Sequence, residues 1–208
     1  MKHKEKQLVK EFATDSRVLF ITFMLFLYAA ITIITPYSRW MWPAVLGGLL
    51  VFFIVEYVSH RFILHGWLSR IMPKAHEGHD KHHKNPQDFK DMLTPNSYNV
   101  PVHLLFWLVF TLAFQSIHLG SALMFGVAAY HLLYEWVHYV SHRPITPRTR
   151  FGKWMKKYHL LHHFKDSQHY FGVTNPALDM MLGTDQLPPG IQGSSERTAH
   201  AEDESLTG

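Results

Sequence analysis

Four long stretches of this chain, residues 18–37, 42–57, 102–117 and 121–137, are almost free of charge, and basic segments lie before, between and after the two pairs they form. A stretch of that kind buries its backbone amides in hydrocarbon only as a helix or a closed barrel, because lipid offers the amides no partner. About 20 apolar residues cross a hydrocarbon core of roughly 30 Å. The alternation therefore predicts an all-α, polytopic membrane protein with about four transmembrane helices. The first stretch is too long and wrongly flanked for a cleaved signal peptide. The third and fourth are only about long enough to cross, so a re-entrant path is the alternative for either, and His131 and Glu135 interrupt the fourth. The links at Ser38–Arg39 and at His118–Leu119–Gly120 are short, which pairs the helices as two antiparallel hairpins.

Charge orients this array. The N-terminus, the central segment after Tyr57 and the segment after Val137 carry most of the Lys and Arg, whereas the hairpin turns carry little besides Arg39. The positive-inside rule puts both termini and the central loop in the cytoplasm. The net charge of +4 could also suit nucleic acid. Beside spans of this length it is better read as a surface for anionic lipid, with no nucleic-acid partner. The reading divides the chain into a basic N-terminus at residues 1–17, a membrane domain at 18–187 and a disordered tail at 188–208.

The chain has no cysteine, which excludes disulfide frameworks, thiolate-held metal clusters and a cysteine nucleophile. Histidine is the anomaly, with 17 copies against 16 Asp and Glu together. Ten fall in four clusters: His60 and His65; His79, His82 and His83; His138 and His142; His159, His162 and His163. Every cluster lies on the side of the membrane that the charge rule makes cytoplasmic. Charge alone gave that orientation, so the coincidence supports it independently.

The spacings suit metal binding. Residues three or four apart share a helix face, which aligns His138 with His142 and groups each of the two triplets. His60 and His65 are five apart, so a helix end or a π-bulge is needed to bring them together. Ten imidazoles exceed one coordination sphere, and two ions are the economical reading. Nitrogen ligands suit iron, zinc, copper or nickel about equally. Glu56, one turn before His60, and Glu135, on the face of His138 and His142, are candidates to accept the outer N–H of a ligating imidazole. His76 and His169 sit near the clusters and fit that outer role better than direct ligation. His103, His118 and His131 read as core or interfacial residues, with a minor chance of a site role for His131. His76–Glu77 starts like a zinc-protease motif, but Asp80 stands where its second histidine belongs.

With these boxes in view, the sequence resembles the integral-membrane fatty acid hydroxylase and sterol desaturase superfamily. The resemblance runs from about Glu56 to Thr184. It is carried by E-Y-V-S-H-R-F-I-L-H at residues 56–65, H-D-K-H-H at 79–83, Y-E-W-V-H-Y-V-S-H at 134–142, Y-H-L-L-H-H-F at 158–164 and F-G-V-T-N-P-A-L-D-M-M-L-G-T at 171–184. It is most similar to the fatty acid 2-hydroxylase branch. That resemblance implies a cytoplasmic histidine-rich cap, the ten clustered histidines as ligands of two iron ions (which zinc can replace during purification), and O₂-dependent hydroxylation of a membrane lipid or acyl chain. It also implies an external reductant, delivered by a separate electron carrier such as cytochrome b5 or ferredoxin. Tyr134, Asp179, Gly183 and Thr184 match the pattern with structural roles only. Arg61, Lys81, Lys84, Arg143, Lys156 and Lys157 are candidates for lipid phosphates or an acidic carrier, though most read better as basic flanks of the spans.

Rival readings have their own discriminators. Sterol and carotenoid hydroxylases or desaturases share the boxes, and the closing segment favours the acyl or sterol side. A metal transporter would place ligands mid-membrane on broken helices. A zinc hydrolase would need an open three-ligand site beside a general base.

Overall fold

In the computed structural model, residues 2–186 are described, and the tail expected at 188–208 lies outside them. Eight α-helices follow in order: α1 (Lys2–Ala13), α2 (Ser16–Ile34), α3 (Met41–Val58), α4 (Pro73–Lys84), α5 (Asn96–Phe114), α6 (Ile117–His142), α7 (Arg150–Phe164) and α8 (Ala177–Leu182). A π-helical turn, Ser59–Leu64, extends α3, and a short 3-10 turn, Trp67–Arg70, precedes α4. No strand occurs among the described residues.

Four helical segments are long and apolar enough to cross a membrane: α2, α3 with its π turn, α5 and α6. They form the two expected hairpins, α2–α3 and α5–α6. At 19 residues α5 is about 28 Å long, and the 26-residue α6 is longer than a bilayer core requires. The third span, α5, starts and stops earlier than the hydropathy suggests. Pro95 precedes its first turn, and Pro101 is accommodated near its N-terminal end. Its stop is Gln115, in the left-handed conformation at φ 49°. The Ser116 hydroxyl accepts the Leu119 N–H and opens α6. The second hairpin turn is therefore at Gln115–Ser116, and His118 lies inside α6, where its ring meets Thr35 Oγ1 at 2.9 Å.

Helix α6 is the axis of the molecule. It packs on α2, α3 and α5, and far more of it is buried than of the other three spans. Its closest neighbour is α3, because Gly48 faces the Leu123 carbonyl and Gly126 faces the Val45 carbonyl with no room for a Cβ on either. Close backbone approach over small residues is a usual way for helices to associate where lipid removes the hydrophobic drive. Outward residues such as Phe26, Ile33, Leu46 and Leu112 are exposed and apolar, as a lipid-facing surface requires.

The remaining elements form a cap over one end of the bundle. Helix α1, which the sequence presents only as a basic segment, is part of it. Phe12 packs on Trp136 and Tyr139, Glu11 pairs with Arg143 at 3.0 Å, and the Tyr139 hydroxyl bonds Glu11 and the Leu8 carbonyl. Arg17 clamps the loop before α5 by donating to the Phe89, Lys90 and Leu93 carbonyls.

Candidate metal centre

The cap exists because α3 and α6 run past the apolar zone and deliver histidines at the same end. At the end of α3 the His65 N–H donates to the His60 carbonyl at 3.1 Å, five residues back. This π turn brings a five-residue spacing onto one face. From α6 come His138 and His142, and α4 and α7 lie across them with three clustered histidines each, besides His76 of α4.

The ten nitrogens sort into two groups of five, each with all its candidate ligand atoms within 4.8 Å of one another. The first group is His60, His65, His79, His83 and His162; the second is His82, His138, His142, His159 and His163. Each triplet is divided between them. In α4, His79 and His83 share the first group and His82 joins the second; in α7, His159 and His163 share the second and His162 joins the first. The partners four residues apart stay together, and the third member bridges to the other group. The His83 and His163 rings, one from each group, stack at 4.0 Å.

The tautomers bear on what these groups can hold. His60 Nδ1–H donates to the Phe171 carbonyl at 2.6 Å and His162 Nδ1–H to the His169 carbonyl at 2.7 Å. Their Nε2 atoms therefore present lone pairs inward. His60 Nε2 lies 3.1 Å from His79 Nε2, and His162 Nε2 lies 3.0 Å from His65 Nε2 and 3.1 Å from His83 Nε2. In the second group His82 Nε2 is 3.0 Å from His138 Nε2 and 3.2 Å from His142 Nε2, which is 2.9 Å from His159 Nε2. The converging lone pairs of His60 and His162 repel unless a cation lies among them. Spacings near 3 Å match nitrogens held about 2.0–2.1 Å from a common ion. Protonation does not supply the cation, because burial, and then neighbouring imidazoles, hold His65 and His82 down to about 2. Burial also lowers His83, to about 4. The donor set therefore fits two metal ions.

The carboxylates expected to orient these rings bond elsewhere. Glu56 accepts from the backbone N–H groups of Val173 and Thr174 and from the Thr174 hydroxyl, at 2.6–2.8 Å. Glu135 accepts the Thr94 N–H at 3.0 Å and faces His131 Nε2 at 3.3 Å. His76 Nδ1–H donates to the Leu64 carbonyl beside His65. The His169 side chain pairs with Asp166, and it is the His169 backbone that meets His162.

Backbone carbonyls of residues 169 and 171 thus take the orienting role in the first group, and spacing among histidines gives no hint of them. Their signal is the turn that follows. Asp179 accepts the Phe171 and Gly172 N–H groups and the Thr184 hydroxyl at 2.6–2.9 Å, and with Glu56 it pins the closing segment under His60. Gly172 is required there, since a Cβ would strike the Asn175 carbonyl.

Several candidate surface cations are used internally. Lys156 Nζ donates to the Val140, Arg143 and Ile145 carbonyls at 2.6–3.0 Å and closes the end of α6. Arg61 donates to the Tyr57 hydroxyl, Arg143 to the Gln87 carbonyl, and Lys84 pairs with Asp80. Lys81 and Lys157 remain exposed.

A cavity of about 230 Å³ opens between α3, α5 and α6 beneath α4. Its walls are largely apolar, with Val51, Phe106 and Val127 at the deep end. At the other end it reaches His60 and His79 of the first histidine group and His138 of the second.

The fatty acid hydroxylase family model matches residues 45–184. A dihydroceramide fatty acyl 2-hydroxylase of Arabidopsis thaliana is 32% identical over 151 residues, covering 68% of this chain and 60% of its own. A ceramide very long chain fatty acid hydroxylase of Saccharomyces cerevisiae is 32% identical over 143 residues, covering 66% of this chain and 36% of its own. The chain therefore spans less than two thirds of the length of these relatives. A solved structure of full-length scs7p, with only its hydroxylase domain visible, superposes with a TM-score of 0.67 at 25% identity, over 79% of this chain and 63% of that one. With its histidine groups, closing turn and spans all inside or beside the matched region, the chain belongs to the fatty acid hydroxylase family.

Proposed function

We propose that this protein is a di-iron, O₂-dependent hydroxylase that oxidises an acyl chain of a fatty acid or membrane lipid with electrons from a separate carrier. One observation carries the reading: an apolar cavity between membrane-spanning helices ends on histidines of both groups. A transporter or storage site has no use for an acyl-sized slot aimed at its ligands. The relatives are named as acyl 2-hydroxylases, which favours carbon 2 as the position oxidised.

His60, His65, His79, His83 and His162 would hold one ion, and His82, His138, His142, His159 and His163 the other. Bound iron supplies the O₂ activation needed for a strong, non-acidic C–H bond, which no acid or base side chain attacks. The chain's own residues do the rest. Phe171 and His169 carbonyls fix the tautomers of His60 and His162. The apolar walls seat the acyl chain, exclude water and limit which carbon reaches the histidines. The basic segments flanking the spans favour a cytoplasmic cap and termini, so the carrier would dock from that side.

Lipid mass spectrometry of cells expressing the chain beside a His162→Ala variant at equal abundance, under air and under nitrogen, tests the reading. A lipid that gains one oxygen only with the wild type and only in air is expected. Loss of two hydrogens instead would mark a desaturase. Identical lipidomes in air with a competent donor would overturn the proposal.

A further inference from the structure

The closing segment after α7 descends from the cap to the level of the spans, and two hydrogen bonds fix how far. Thr174 Oγ1 lies 2.8 Å from Tyr130 Oη on α6, and Thr184 Oγ1 lies 2.9 Å from Tyr57 Oη on α3. The rise along α3 from Met41 to Tyr57 is about 24 Å, and along α6 from Ile117 to Tyr130 about 20 Å. Both helices start at the boundary away from the cap, where Trp40 and Trp42 are exposed as interfacial anchors. A hydrocarbon core is roughly 30 Å thick, and tilting a helix only shortens the depth it covers. Both tyrosines therefore stop short of the boundary on the cap side. Thr174 and Thr184, the two ends of this segment, are held at that depth.

Such a depth gives the two buried carboxylates a reason. Non-helical backbone persists at membrane level only where protein supplies its hydrogen-bond partners. Glu56 accepts the Val173 and Thr174 N–H groups, and Asp179 accepts those of Phe171 and Gly172. The outer face of the segment is apolar instead. Met180, Met181 and Leu182, at the end of α8, are 62%, 78% and 55% exposed. On either side of Tyr57, α3 also exposes Ile54 and Val58, so apolar surface is already present at this level. Consecutive exposed apolar side chains mark a contact with protein or membrane. Residues 187–208 hold only Leu187, Ile191 and Leu206 as large aliphatic side chains, a poor match for that face.

We propose that α8 is a membrane-inserted element: Met180, Met181 and Leu182 reach the acyl chains of the leaflet on the cap side, and lipid is the partner of this face. The closing turn, with the Phe171 carbonyl that orients His60, then lies between α3 and α6 on one side and the bilayer on the other. The inference depends on neither the metal nor the substrate.

The chain has no cysteine, so a single introduced cysteine carries a spin label without background. Met181→Cys, labelled with a nitroxide in the full chain in phosphatidylcholine nanodiscs, is read by collision with two reagents. One is O₂, which concentrates in lipid; the other is a water-soluble nickel chelate. Phe26→Cys, on the exposed apolar face of α2, sets the lipid limit, and Lys157→Cys, exposed on the cap, sets the water limit. The ratio of O₂ to nickel accessibility at position 181 should lie nearer the Phe26→Cys limit than the Lys157→Cys limit. A ratio nearer the Lys157→Cys limit overturns the proposal. So does a label shielded from both reagents, which would mean that residues 187–208 or a second copy of the chain covers α8. If labelled Met181→Cys does not fold, Leu182→Cys and Met180→Cys decide by the same criteria. The readout involves neither metal nor turnover, so failure here leaves the hydroxylase reading standing.

Discussion

Single side chains decide whether the histidines keep their aim. Asp179 is fully buried and answers three donors of the closing turn. Asp179→Ala leaves the Phe171 and Gly172 N–H groups unpaired and the Thr184 hydroxyl with only its Tyr57 contact, and should cost at least about 2 kcal/mol. Thermal unfolding of detergent-solubilised protein would show it, and metal content should fall with it, because the carbonyl that orients His60 sits on that turn. An unchanged melting curve would mean that the turn is held by something else. Two neighbouring lysines provide a contrast. Lys156→Met removes three hydrogen bonds at the end of α6 and should destabilise by roughly 1–3 kcal/mol. Lys157→Met, at an exposed position, should stay within about 0.5 kcal/mol of wild type. The same comparison shows the limit of reading charges from sequence, where the two residues look alike. Only the position of the carbonyls of residues 140, 143 and 145 tells them apart.

Helices carry the next level of information, and much of it is local. The five-residue spacing of His60 and His65 demanded an irregular turn, and a π turn is present. The four-residue spacings placed each pair in one group. The division of the triplets between two groups was hidden, because it depends on how α4 and α7 cross the ends of α3 and α6. Glu56 was hidden for a similar reason. Helix periodicity paired it with His60 four residues away, whereas its partners are more than a hundred residues along the chain. Helix α1 was illegible in another way: its sequence is polar, and a few anchors such as Phe12 and Glu11 dock it. The α3–α6 crossing also makes a prediction. Gly48→Leu or Gly126→Leu puts a side chain against the facing backbone and should destabilise by about 1–3 kcal/mol or more. Such variants should show lower yield of monodisperse protein and a lower unfolding temperature. Gly47→Leu, where a Cβ meets nothing within 4 Å, should be tolerated.

At the scale of the molecule, the fold is a membrane bundle whose helix ends support a cage of neutral imidazoles. The bundle was legible because hydropathy and positive charge are written along the chain. The second hairpin turn was misplaced by a few residues because the left-handed Gln115 looks unremarkable in sequence. The cage sets a pH response. Burial lowers His83 from 6.5 to about 4 and His65 and His82 to about 2 in the folded protein. Below 6.5 the unfolded chain takes up protons that the folded chain refuses, so stability falls as pH falls. Chelator-treated protein should therefore keep its full unfolding temperature above about pH 6.5 and lose it progressively toward pH 4 and below. Bound metal should shift the loss to lower pH, because it holds the ligands deprotonated. A flat profile between pH 7 and 4 would show that the imidazoles are not buried as a neutral set.

The proposed dimetal centre rests on the division into two five-histidine groups, and counting metal tests it most directly. Elemental analysis of folded, iron-supplied protein should give two ions per chain, with His142→Ala and His65→Ala each retaining about one. One ion or none in the folded wild type, or complete loss of metal in both variants while they remain folded, would contradict two distinct sites.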